Sequence, residues 1–325
     1  MDEHKKSKKM RMIYLLLGLS LISIISCARH SKVVKVKQST EVKMREVIPL
    51  EQDKVYNGDV MLYTQKDIDE FGQQGYTFIQ GDLKIESPSD DYSKEIVDTK
   101  PLTSLRIVNG DVMITRFRYL VGIQGLQNLE QVNGDFTVSG CGLETIHSFH
   151  KLSTIGGSLT IAANTGDYGQ GGLSEISGFD NLTEVKNIYI SGNSSLRRLD
   201  AFNNLQQTNT VQIMSAKMSE ITNFKNLKTV QQNFTIEYVS ALKKIALDKL
   251  ETVNGFFALN ENRSINGHIY LPALRRINHL YFMSNENFDN YCDLAEAIRL
   301  QKIDTLSTEG NKLNLTKEEI LIRCQ

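Results

Sequence analysis

Three aspartates, Asp82, Asp111 and Asp135, each directly follow a glycine. Set on neighbouring strands they would stand about 5 Å apart. At that distance carboxylates can share Ca²⁺ or divide acid and base roles. An aspartate just after a turn glycine more commonly accepts from local backbone donors, and that reading is favoured here. His147 and His150 lie three residues apart and could offer two metal ligands. They flank Phe149 in a segment whose apolar residues recur every third position, so a structural role is favoured for them too. No serine sits in a nucleophile-elbow context. On these grounds no catalytic residue, metal or cofactor is assigned.

The elements that would position such residues follow a strict ruler. Leu105, Leu129, Leu152, Leu182, Leu205, Leu227, Leu250 and Leu274 are 22 to 24 residues apart, with one 30-residue step. Each opens the same phrase: Leu129-Glu-Gln-Val132-Asn-Gly134-Asp-Phe136-Thr-Val138 returns as Leu152-Ser-Thr-Ile155-Gly-Gly157-Ser-Leu159-Thr-Ile161. A period near 23 residues predicts a mainly β solenoid in which every unit is one coil stacked on the last.

Within a coil, Phe136 and Val138 alternate with polar neighbours, the pattern of a short strand buried on one face. The glycine before it, Gly134 here, implies positive φ or a close backbone approach. Apolar residues then come every third position, as in Leu143, Ile146, Phe149 and Leu152. That spacing fits tight 3₁₀-like or cornered segments. Stacking like on like predicts an interior column of Phe149, Phe179, Phe202 and Phe224. It also predicts outward columns, one of them Lys84, Met113, Thr137, Thr160, Tyr189, Gln212, Thr235, Ala258 and Tyr281.

A solenoid needs capped ends. Thr64-Gln-Lys-Asp67 reads as a helix start behind a first strand at Val60 to Leu62, with Ile68 and Phe71 inward. Tyr291, Leu294, Ala295 and Ile298 form a helical stripe, and Thr316-Lys-Glu-Glu319 is a second capping box. The expected organisation is residues 1–26 as a leader, 27–54 as a polar tether, 55–287 as solenoid and 288–325 as a helical cap.

The leader has a basic head, Lys5 to Arg11, then an uncharged apolar run from Met12 to Ile25. Its end, Ile24-Ile25-Ser26-Cys27, resembles a bacterial lipoprotein signal, which implies cleavage before Cys27 and a diacylglycerol thioether on its sulfur. Several acyl chains would anchor the protein stably to a membrane. Loss of residues 1–26 removes five Lys/Arg and two Asp/Glu, taking the formal net charge from −1 to −4. A mildly acidic body argues against nucleic acid as a partner. In an oxidising compartment Cys292 and Cys324 are expected to pair, pinning the last helix, while Cys141 stays a reduced core thiol. The alternative is three reduced thiols.

The recurring phrase, with Gly75-Tyr-Thr-Phe-Ile-Gln-Gly81-Asp-Leu-Lys-Ile85 at its entry, resembles the receptor L-domain family and the related leucine-rich-repeat-like lipoproteins of Bacteroidetes. The resemblance spans about residues 55–325 and implies a right-handed parallel β-helix with capping helices. It also implies Asn or Cys at an inward turn position, which Cys141, Asn164 and Asn193 occupy. It carries no ligand residues, since the phrase encodes core positions only. The cysteine-rich module of the receptors is missing from the pattern.

Two excursions break the repeat: Ala163 to Gly172, with Asp167 and Tyr168, and Glu86 to Ser104, with Tyr92. Solenoid insertions emerge as surface loops, which are either binding sites or neutral. The expected function is a non-enzymatic, membrane-anchored binding or adhesion module for a protein or glycan. Its candidate contacts are Tyr92, Asp167, Tyr168, Tyr189 and Tyr281. The alternatives are a polysaccharide-active β-helix enzyme or carbohydrate-binding accessory, and a structural envelope protein. An outer-membrane location is expected, with a periplasmic orientation left open by the basic Ala28-Arg29-His30-Ser31-Lys32.

Overall fold

A computed structural model describes residues 48–87, 96–120, 122–166 and 171–325. Parallel strands stack into a β-solenoid of about 11 turns of roughly 23 residues. The main sheet runs through Val60–Leu62, Leu83–Glu86, Val112–Thr115, Phe136–Ser139, Thr154–Ala162, Glu184–Ser191, Thr210–Ala216, Phe234–Val239, Thr252–Asn260, Arg276–Met283 and Ile303–Glu309. Every pairing is parallel and in register with the repeat: Thr137 opposes Thr160, Thr160 opposes Tyr189, and Ala258 opposes Tyr281. The outward columns read from the sequence are therefore the columns of the sheet.

The other side of the coil carries shorter strands. Thr145–Ile146, Glu175–Ser177 and Arg198–Asp200 make one three-stranded sheet, and Glu220–Ile221, Lys244–Ala246 and Ile269–Tyr270 another. Between them and the ruler leucine lies the period of three. The N–H of Leu152 donates to Phe149 O at 3.1 Å, Leu205 to Phe202 O at 3.3 Å, and Leu227 to Phe224 O at 3.0 Å. Residues i and i+3 thus share one tight turn, and both point inward. Phe149, Phe179, Phe202 and Phe224 are fully buried and stack with centroids 5.1, 5.5 and 5.5 Å apart.

The glycines before the strands are there for close approach. A Cβ on Gly134 would fall 2.0 Å from Asp111 Oδ1 and 2.8 Å from the Asp111 nitrogen. Their φ angles are not positive. The left-handed corner comes after the strand instead, at Gly140, Ala163, Gly192, Ser215, Tyr238, Glu261 and Ser284. Most of these are not glycine, so hydrogen bonds at the next position must hold the corner. There Asn164 N–H donates to Asn193 Oδ1 and Cys141 N–H to Asn164 Oδ1, each at 3.0 Å. A second run joins Val239, Asn262, Asn285 and Asn311 through equivalent bonds of 2.9 to 3.0 Å.

Helix α1 (Gln65–Gln73) closes the N-terminal end through a capping box between Thr64 and Asp67, and Ile68 is fully buried. At the other end α2 (Ala295–Arg299) buries Ala295 and Ile298. The segment expected to be a helical cap also contains a strand, Ile303–Glu309, which adds a coil to the main sheet beyond residue 287. Its buried Ile303 and half-buried Leu306 continue the inward columns; Leu300-Gln-Lys-Ile303 repeats Leu274-Arg-Arg-Ile277, but Leu300 is exposed and Thr308 stands opposite Phe282, which breaks the pattern. Helix α3 (Lys317–Arg323) comes last, capped by Thr316 and Glu319, with Ile320 buried. The Cys292–Cys324 disulfide ties α3 to the solenoid end, with Cα atoms 5.3 Å apart. Cys141 is a buried thiol whose Sγ lies 3.7 Å from Ile114 O.

Candidate functional site

The glycine–aspartate pairs make a ladder. Asp82 N–H donates to Asp59 Oδ1 at 2.9 Å, Asp111 to Asp82 at 2.9 Å, Asp135 to Asp111 at 2.7 Å, and Ser158 to Asp135 at 2.7 Å. One carboxylate oxygen per coil is thus committed to the backbone of the next. Lys84 stands 3.3 Å from Asp82, and that hydrogen bond and charge raise its pKa above the ordinary value. Among the described residues no three His, Cys, Asp or Glu side chains converge as metal ligands would. His147 Nδ1 lies 3.0 Å from Thr145 Oγ1, and His150 faces Asp180 at 3.7 Å.

The sheet's outer face changes character along the solenoid. Over the first coils it is charged and internally paired, with Lys84 on Asp82 and Arg116 Nη2 on Glu86 at 2.6 Å. From Asn187 to Met283 three adjacent columns read Asn187, Thr210, Asn233, Phe256, His279; then Tyr189, Gln212, Thr235, Ala258, Tyr281; then Ser191, Met214, Glu237, Asn260, Met283. Alternation places all fifteen on one face. Glu237 is the single carboxylate among them, and no Lys or Arg is present.

This region has relief. Thr235 and Ala258 point outward yet are only 7% and 2% exposed, because larger neighbours overhang them. Tyr281 is edge-on to Phe256 with centroids 5.8 Å apart and stacks beside His279 at 6.2 Å. On the other side of the floor Asn260 Nδ2 donates to Glu237 Oε1 at 2.7 Å. The result is a shallow saddle in which an aromatic wall and a carboxylate–amide wall close over Thr235 and Ala258.

Of the residues expected to bind, Tyr189 and Tyr281 share a column but are separated by four coils, about 19 Å at the usual strand spacing. Tyr281 belongs to the saddle, and Tyr189 marks its far edge. Asp167, Tyr168, Tyr92 and Cys27 lie outside the described residues. Glu237 and Asn260 fall in an outward column of the repeat but, like Phe256 and His279, are not among the candidate contacts read from the sequence. The signal for Phe256 was the Phe256-Phe257 doublet: a strand that buries one phenylalanine must turn the other outward.

A polar cleft elsewhere is lined by Thr183, Glu184, Asn204, Gln206, Gln207, Lys228 and Thr229. No helix among the described residues is long and apolar enough to cross a membrane. No protein-family model matches the chain. Over 243 residues the chain is 28% identical to sporulation-specific protein 22 of Saccharomyces cerevisiae, an alignment covering 74% of this chain and 46% of that protein. The chain therefore spans about half the length of that relative.

Proposed function

We propose that the protein is a non-enzymatic binding module, held at a bacterial outer membrane by a lipid on Cys27, that presents the outer face of its main sheet to an external ligand. The observation that carries this reading is the saddle: half-buried aromatic and uncharged polar side chains grouped on a flat parallel sheet. Flat faces with exposed aromatic rings serve recognition, while general acid–base chemistry needs convergent titratable groups. Each carboxylate of the Asp ladder gives one oxygen to a backbone N–H of the next coil, the structural role of an aspartate after a turn glycine. The leucine-rich-repeat-like phrase and the Asn/Cys turn position support placing the chain with the receptor L-domain-like lipoproteins. The anchor rests on the basic head, apolar run and Cys27 register of the leader.

A soluble Cys27→Ala form, fluorescently labelled and added to cell envelopes, tests the reading. Saturable binding is expected, lost in Tyr281→Glu and kept in Tyr270→Glu, whose ring is exposed on a different sheet. Bound material should be released chemically unchanged. Binding by Tyr281→Glu equal to that of the parent, or turnover of the ligand, contradicts it.

A further inference from the structure

The saddle's chemistry narrows the ligand class, and this step rests on the binding-module reading above. Fifteen side chains over five coils and three columns cover roughly 480 Å², taking about 4.8 Å between strands and about 6.6 Å between same-face neighbours. That is a little over half of the roughly 800 Å² per partner of a stable protein interface. With one carboxylate and no Lys or Arg, the patch offers nothing to a phosphate backbone or an anionic lipid surface. It is also too polar for an acyl chain, since Asn187, Gln212, Asn233 and Asn260 stand among the aromatics. The remaining combination is aromatic faces beside neutral and carboxylate hydrogen-bonding groups.

We propose that the saddle is a carbohydrate-binding site for a short, uncharged oligosaccharide. A pyranose presents C–H groups, which carry partial positive charge, on one face and hydroxyls around its rim. Tyr281 and Phe256 supply π faces of negative potential for the first. The Glu237–Asn260 pair supplies the second. Asn260 holds Glu237 through Oε1, while no hydrogen bond to Glu237 Oε2 is formed within the described residues, so that oxygen can accept from a sugar hydroxyl. Thr235 and Ala258 lie covered beneath these side chains, so a ring would rest on the aromatic and amide groups themselves. Tyr189, about four coils away, gives a longer chain a second contact.

The test uses the purified full-length protein in detergent, titrated with cellohexaose, chitohexaose, maltohexaose and mannohexaose and followed by calorimetry and saturation-transfer NMR. At least one hexasaccharide should bind saturably. Tyr281→Ala and Glu237→Gln should each weaken it tenfold or more, while Tyr281→Phe keeps it within threefold and Tyr270→Ala leaves it unchanged. Unaltered thermal melts show that these outward substitutions spare the fold. Saturable binding by none of the four, or binding that survives Tyr281→Ala, overturns the proposal. If the hexasaccharides fail while envelope binding still depends on Tyr281, the binding-module reading stands and the ligand is a protein.

Discussion

At the residue scale, the repeated phrase records contacts between coils more than preferences within one. Gly134 is a glycine because the Asp111 carboxylate occupies the space a Cβ would need. Gly192, by contrast, sits at the left-handed corner with φ +65°, and a Cβ added there would come no closer than 3.5 Å to its nearest neighbour. The corresponding corner one coil earlier is Ala163, with φ +53°. Gly192→Ala should therefore cost only about 1 kcal/mol of left-handed strain. Gly134→Ala should cost about 3 kcal/mol, since a backbone atom as well as the Asp111 carboxylate must move. Urea denaturation midpoints for the two variants measure this, and equal losses would contradict the ladder. The sequence alone left close approach and positive φ open for these glycines, because both demand glycine and only the stacked neighbour tells them apart.

At the scale of elements, the solenoid strands were legible because alternation and a fixed period act together, and the aromatic column came from stacking like on like. The strand Ile303–Glu309 was hidden because its opening Leu300 caps the end of α2 and Thr308 replaces the second inward apolar residue. The Cys292–Cys324 bridge was legible from the position of each cysteine beside an apolar stripe of the capping helices, given an expected oxidising compartment. A bridge closing a loop of this length is worth about 3–4 kcal/mol when the unfolded chain is the reference. Here it joins the terminal helix α3 to the body, so reduction should act locally. Hydrogen exchange should speed up in Lys317–Arg323 while Phe136–Ser139 keeps its protection; equal loss in both segments would contradict the pinning role.

The same helix has an acid-sensitive cap. Thr316 N–H donates to Glu319 Oε2 at 2.8 Å, and this backbone bond holds the Glu319 pKa below its ordinary 4.5. A depressed folded value means that the cap's contribution is whole above the unfolded pKa and is lost as pH falls through the folded one. The Cα shifts of Ile320 and Leu321 should move toward coil values as pH drops below 4.5, and Glu319→Gln should remove most of that dependence. Shifts that stay flat down to full carboxylate protonation would show that the capping box is not what holds α3.

At the scale of the molecule, a stack of coils turns single residues into columns, and a column is where this protein changes character. Its outer face is charged and self-paired near the N-terminal end and aromatic and neutral toward the other. That Tyr189 and Tyr281 share an outward column was legible in the sequence because the repeat assigns every residue a column. The Glu237–Asn260 hydrogen bond was not, since residue order does not reveal which side chains overhang a small neighbour. Tyr92, Asp167 and Tyr168 lie outside the described residues, and the proposed binding face is drawn from the sheet.

The most direct measurement is hydroxyl-radical footprinting of the full-length protein, in isolated envelopes and after purification. Tyr189, Met214, Tyr281 and Met283 on the outer face should be protected in envelopes and become reactive on purification, whereas Tyr270, on the opposite short sheet, should react equally in both. Equal reactivity of Tyr281 in the two states would mean that the face meets no ligand where the protein works, and would contradict the central claim.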